Sequence, residues 1–222
     1  MNLGFAGLRN GQAFPRETLL SVRPDHFRRT IAEAVAGGQH LAALFGDAPE
    51  ATGPVYLYAV LADPARALLR VGMTQLKGDS FPSLTPECPQ AHLFEREIAE
   101  QFGVRPDGHP WLKPVRFHAS YRPGHDAWGR QPDPAPVVGV TDFYRVEGDE
   151  IHEVAVGPVH AGVIEPGHFR FQCHGEQVFH LEISLGYQHR GAERTLVGGP
   201  NKRTIHTMET VAGDTSVGHA TA

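Results

Sequence analysis

Cysteine is scarce: only Cys88 and Cys173 occur in 222 residues, and they share no CxxC spacing. That excludes a disulfide scaffold, and it excludes a four-ligand zinc or iron–sulfur site held by this chain alone. Excess positive charge is missing too. Twenty Lys plus Arg against 25 Asp plus Glu leave a net charge of −5, which argues against a phosphate-binding, nucleic-acid partner. No apolar run approaches the roughly 20 residues a membrane helix needs. The start, Met1-Asn2-Leu3-Gly4-Phe5, has no basic stretch ahead of an apolar one, so no signal peptide is expected. There is no internal repeat and no nucleotide-binding GxGxxG or GK[ST] loop.

What is present reads as a soluble α+β protein. Pro24-Asp25-His26-Phe27 opens a helical pattern through Phe27, Ile31, Ala34 and Val35, which Gly37-Gly38 ends. Val55–Leu61 and Leu68–Met73 read as strands, the first apolar enough for burial on both faces. A second helix begins near Pro89, carries an apolar stripe of Ala91, Phe94, Ile98 and Phe102, and ends at Gly103. On it, Glu95, Arg96, Glu97 and Glu100 read as a solvated flank or an ion-pair network between domains. From Gly108 to Pro136 periodicity vanishes among Pro, Gly and His, as in an extended linker. Val154–Val156, His168–Cys173 and Gln177–Ile183 read as strands, the last two joined by the turn His174-Gly175-Glu176. Ile205, Met208 and Val211 suggest a further helix, after which the sequence stops at Ala222 without a closing element.

Fourteen histidines invite a metal reading, but no HExxH-type spacing occurs. His160 and His168 are separated by Pro166-Gly167, and His174 and His180 straddle a turn. His189-Arg190-Gly191 would suit an anion or simply a turn. Chemistry read in isolation stops at an α+β protein of undefined function.

Three stretches carry more information. They are Phe81-Pro82-Ser83-Leu84-Thr85, Ala91–Val104 with Phe94-Glu95-Arg96-Glu97 at its centre, and Gly108-His109-Pro110-Trp111-Leu112. Together they resemble the C-type subunit, the small one of the peripheral arm, in respiratory NADH:quinone oxidoreductase (complex I). A second set, Gly157-Pro158-Val159-His160-Ala161-Gly162 with Pro166-Gly167-His168 and Leu185–Arg194, resembles the start of the large, D-type subunit of the same arm. The likeness is stronger to the large subunit of group 4 energy-converting nickel–iron hydrogenases. It covers about residues 50 to 222.

The resemblance implies four segments: an N-terminal stretch (1–22), an α/β domain like the complex I C-type subunit (23–120), a Pro/Gly-rich linker (121–148), and the beginning of a hydrogenase-like large subunit (149–222). The last would hold antiparallel strands and the start of a helical core, cut short. It further implies a subunit of a membrane-associated electron-transfer complex, cytoplasmic and held to the inner membrane face through partners. A small iron–sulfur subunit is the expected neighbour, with the cluster in that partner and no cofactor bound by this chain. A nickel–iron centre needs thiolates, yet Ala212 and Thr215 stand where the first cysteine pair would be. Quinone-reducing relatives carry a second histidine and a later tyrosine, where Ile164 and Gly213 stand here.

His160, His168, His189, Arg190 and His219 remain as cavity-lining candidates. Phe94, Glu95, Arg96, Glu97, Gly103, His109 and Pro110 read as an interface or structural motif, and no residue is assigned to catalysis. The alternatives are a non-catalytic assembly or scaffold fragment and a free-standing histidine-rich metal binder. An isolated chain of this kind should leave apolar faces and strand edges uncovered and should aggregate.

Overall fold

The computed structural model describes residues 4–50, 52–131, 137, 139, 142–162 and 164–221. It falls into two units, Met1–Pro136 and Val137–Ala222.

The first unit is built on a five-stranded sheet. Its elements in chain order are β1 (Phe5–Leu8), β2 (Ser21–Val22), α1 (Pro24–Ala36), β3 (His40–Asp47), β4 (Tyr56–Asp63) and β5 (Leu68–Gln75). They are followed by β6 (Ser80–Pro82), α2 (His92–Phe102) and β7 (Arg105–Asp107). The sheet order is β1-β5-β4-β3, antiparallel throughout, while β2 pairs parallel with the far end of β5. β6 and β7 form a separate parallel pair.

Helix α1 starts with Pro at its first position, where the missing N–H is not needed. It sends Phe27, Ile31 and Ala34 into a core shared with Leu57, Ala59 and Leu61 of β4. These last three alternate along the strand and so share one face. Gly72 leaves room there: a Cβ would sit 2.4 Å from the Phe5 ring, which fills the space and stacks on Phe27 at 5.8 Å.

Of these strands the sequence pattern marks β4 and β5, while β1, β2, β3, β6 and β7 escape it. β1 lies in a stretch without periodicity, and β3 contains a bulge between Leu41 and Ala43 that breaks its alternation. The expected linker is also divided. Residues 113–125 pack on α2, with Phe117 and Arg122 buried, and residues 142–146 pack on the second unit's sheet.

The second unit holds β8 (Ile151–Val156), β9 (His168–His174) and β10 (Gln177–Ser184) in one antiparallel sheet of order β10-β9-β8. Its helices are short: α3 (Ala192–Thr195), α4 (Thr204–Glu209) and α5 (Ser216–Thr221). No residue of these three helices is buried, so the helical-core expectation is met among the described residues only by these short pieces.

Candidate functional site

The charged motif on α2 does not face water. Glu95 is fully buried, Glu100 is 1 % exposed and Arg96 6 %. The expectation of a solvated flank is corrected here, for a geometric reason. Ala91, Glu95, Ile98 and Phe102 follow offsets of four, three and four and share the core-facing stripe. Phe94, placed on that stripe by the sequence reading, is only half-buried. Arg96 and Glu100 lie on the opposite side, where residues 113–117 cover the helix.

Each charge is matched to a different loop. The Glu95 carboxylate accepts from Ser83 Oγ at 2.6 Å, Thr85 Oγ1 at 2.6 Å, and the backbone N–H groups of Leu84 at 2.6 Å and Thr85 at 3.2 Å. Three of those four donors converge on Oε2 and one, the Leu84 N–H, reaches Oε1. Glu100 accepts three successive backbone N–H groups, from Val115 at 3.2 Å, Arg116 at 2.7 Å and Phe117 at 2.6 Å. Such a run of amides forms an anion-binding concavity, and Glu100 fills it from within the chain. Arg96 donates to the carbonyl oxygens of Lys113 at 2.7 Å and Pro114 at 2.9 Å, and its guanidinium lies over the Trp111 ring. Glu97 pairs with Arg116.

The C-terminal end of α2 is tied down as well. Gly103 has φ +64, the left-handed conformation that ends many helices, and its N–H returns to the Ala99 carbonyl. Tyr121 N–H reaches the Gln101 carbonyl at 2.7 Å, and Arg122 Nη1 the Phe102 carbonyl at 3.0 Å. The same Arg122 nitrogen donates to Asp79 at 2.9 Å. Burial pushes the Asp79 carboxyl up, but Arg122 and His125 outweigh it and hold the group below its ordinary value.

His109 and His92 close the other end. Trp111 N–H donates to His109 Nδ1 at 3.0 Å, so that nitrogen carries no proton, and His109 Nε2 donates to the His92 carbonyl at 3.2 Å. Arg96 Nη1 lies 3.2 Å from His92 Nε2, which accepts. Both rings are therefore neutral. Burial lowers the pKa of each, and for His92 the neighbouring Arg96 and His109 add to it. A histidine with a lowered folded-state pKa binds more protons when unfolded. Stability is then complete above the unfolded value of about 6.5 and declines as pH falls below it, until the folded-state pKa is passed. Urea unfolding followed by fluorescence should show the midpoint dropping between pH 7 and pH 5. His109→Gln should flatten that limb. An unchanged limb in the variant would mean other groups cause it.

These inner contacts fix an outer surface. Thr85, Pro86, Pro89, His92, Leu93 and Pro110 border an open, mainly apolar groove of about 780 Å³. Leu93 stands in it 48 % exposed. The sequence reading quoted Ser83, Thr85 and Trp111 only as parts of a family signature and Glu100 as a flanking charge, and it assigned no role to Arg116 or Arg122. The helical period alone would have found one clue, a glutamate on the apolar stripe.

In the second unit the candidate residues take separate roles. His160 Nε2 lies 2.8 Å from the Gly167 carbonyl, and His168 meets Phe143 edge-on. Exposed Arg190 donates to the Thr210 carbonyl, His189 is exposed beside it, and His219 is half-buried on α5. Ala212 is half-buried and Thr215 exposed. Among the described residues no three His, Cys, Asp or Glu side chains converge on a point that could hold a metal ion. Among them, too, no helix is long and apolar enough to cross a membrane.

Comparison with known proteins gives the fold a context. Residues 20–128 match the family described as respiratory-chain NADH dehydrogenase, 30 Kd subunit. Hydrogenase-4 component G of Escherichia coli K12 is 31 % identical over 147 residues, covering 62 % of this chain and 26 % of that protein. Formate hydrogenlyase subunit 5 of the same organism is 30 % identical over 207 residues, covering 83 % of this chain and 35 % of the relative. The C/D subunit of NADH-quinone oxidoreductase from Methylococcus capsulatus is 26 % identical over 162 residues, covering 63 % and 27 %. The chain thus matches about a quarter to a third of the length of these relatives. Residues 20–128 thus resemble the respiratory-chain NADH dehydrogenase 30 Kd subunit family, in a chain whose relatives are subunits of hydrogenase-4, formate hydrogenlyase and NADH-quinone oxidoreductase.

Proposed function

We propose that this chain is a docking subunit of a hydrogenase-like or NADH:quinone-oxidoreductase-like electron-transfer complex, and that it holds no nickel–iron centre of its own. One observation carries the reading. The charges of the α2 motif are spent on fixing loops, and the surface those loops present is an apolar groove rather than a set of convergent acids, bases or nucleophiles. A rigid apolar groove with a half-exposed leucine at its edge suits a protein neighbour. The proposed neighbour is a small iron–sulfur subunit, through which the chain sits at the inner face of a membrane.

The residues of the second unit do not fit a nickel–iron group. Bridging two metals takes soft thiolate ligands, and Ala212 and Thr215 offer a methyl and a hydroxyl. The two cysteines of the chain belong to different units, Cys88 ahead of α2 and Cys173 in β9, and both are buried. Quinone contact likewise lacks a proton donor at Ile164.

The test uses the assembled complex. Leu93→Glu puts a charge at the groove without touching the core. It should cut the partner protein recovered with the chain at least tenfold and leave the urea midpoint within experimental error. Full recovery of the partner would sink the docking reading. Nickel near one per chain in the purified complex would sink the other half.

A further inference from the structure

Residues 108–114 cross α2 between two fixed ends. Upstream, β7 pairs with β6, and Ser83 N–H donates to the Asp107 carbonyl at 2.8 Å. Downstream, Val115, Arg116 and Phe117 are bonded to Glu100. Between these ends the segment meets the helix through His109 on the His92 carbonyl and through Arg96 on the Lys113 and Pro114 carbonyls. His92 and His109 are both half-buried, with ring centres 5.2 Å apart.

Neither ring can take a second proton where it stands. A neutral imidazole has one donor and one acceptor nitrogen. In His109 the acceptor, Nδ1, receives Trp111 N–H at 3.0 Å, while Nε2–H is committed to the His92 carbonyl. A proton on Nδ1 would set two donors against each other. In His92 the acceptor, Nε2, receives Arg96 Nη1 at 3.2 Å. A proton there would oppose two cations, at a helix N-terminus that already disfavours positive charge. Both conflicts bear on the same segment. Lifting Trp111 frees His109 Nδ1, and moving Arg96 away from His92 takes its Nε and Nη2 from the Lys113 and Pro114 carbonyls.

The other charges nearby do not offset this. Glu95 favours the protonated rings, but burial, with Arg96 beside it, outweighs that pull, and the carboxylate is turned to Ser83, Leu84 and Thr85. From the covering segment Lys113 lies over the Trp111 ring and adds positive charge. Glu87, in the loop ahead of α2, is paired with Arg28, and Asp107 of β7 with Arg105.

We propose that residues 108–114 form an acid-released strap: proton uptake at His109 Nδ1, seconded by His92, lifts Trp111 from α2 while the two ends and the rest of the unit stay folded, and so opens one wall of the apolar groove. That wall is Pro110 of the strap beside His92. The link to docking rests on the reading of the groove as a docking surface. The sign follows from proton binding. The closed strap excludes the second proton and the open one admits it, so opening is favoured as pH falls.

Amide hydrogen exchange of the full chain, followed by NMR, reads the strap without a partner. Each released histidine, with an open-state pKa of about 6.5, makes opening about tenfold more favourable between pH 7.5 and pH 5.5. Protection of the Trp111 amide, corrected for the intrinsic effect of pH, should fall by about that factor or more. Low urea should leave it unchanged while it speeds exchange at Ala59, buried in β4, which opens only with the whole unit. His92→Gln combined with His109→Gln should abolish the acid response. Equal protection at the two pH values, or a Trp111 amide as sensitive to urea as that of Ala59, would overturn the proposal, and both are read on the unaltered chain. An acid response that survives in the double variant would overturn it too. In the intact complex a docked partner should raise the protection of Trp111, because docking and opening compete. Equal protection with and without the partner would break the link to the groove, and the Leu93→Glu recovery tells whether the docking reading has failed with it.

Discussion

Glu95→Ala is expected to lower the unfolding free energy by about 4 kcal/mol, a value that would be exceptional for a charged residue on a solvated helix. The substitution removes the shared acceptor of two hydroxyls and two backbone N–H groups in a buried site, and of these only the Thr85 N–H keeps another acceptor, Ser83 Oγ at 3.2 Å. Each unsatisfied buried donor costs about 1–3 kcal/mol, and the sum is reduced because the hydroxyls can turn toward one another. The lost carboxylate also leaves a cavity on the core stripe of α2. Glu95→Gln separates the contributions. It keeps the volume but directs an NH₂ at donors, so it should recover less than half of the loss. Urea unfolding monitored by circular dichroism measures both. A change below about 1 kcal/mol in the alanine variant would return the motif to the solvated-face reading.

The arrangement explains why the motif was visible in the sequence while its role was not. Helix α2 itself was legible: Pro89 ahead of it, four apolar positions and Gly103 at its end are local signals. So were α1, β4, β5 and the β9–β10 hairpin, each marked by its own period and turn residues. The partners of Glu95, Arg96 and Glu100 sit 10 to 18 residues away along the chain, in segments without regular structure. Periodicity does not report on such contacts. A Pro-rich stretch therefore reads as a linker, although residues 113–122 turn out to cap and cover a helix. The sheet of the second unit shows the opposite case. Its strands were found, but alternation gives two faces without saying which is buried. That choice was made by Tyr144, which bonds Arg170 and Glu182 from 26 and 38 residues away, beyond any strand-length window.

The same cap makes Gly103 a position with little freedom to change. Gly103→Ala is expected to cost about 3 kcal/mol, measured as a shift in the urea midpoint. Two effects combine. At φ +64 any side chain meets its own backbone, a strain of about 1–2 kcal/mol. The added Cβ would also lie 2.6 Å from the His125 carbonyl carbon and 2.8 Å from the Asp126 nitrogen. Those are backbone atoms, so rotating a side chain gives no relief. Residues 122–126 must move instead, and with them go the Arg122 bonds to Asp79 and to the Phe102 carbonyl. Gly108→Ala is the control. Its φ is +80, but a Cβ there meets nothing within 4 Å. It should show the strain alone, about 1–2 kcal/mol. Equal losses at the two glycines would mean that the close approach of residues 125–126 contributes nothing, and that the end of α2 is held by its own turn rather than by the segment packed over it.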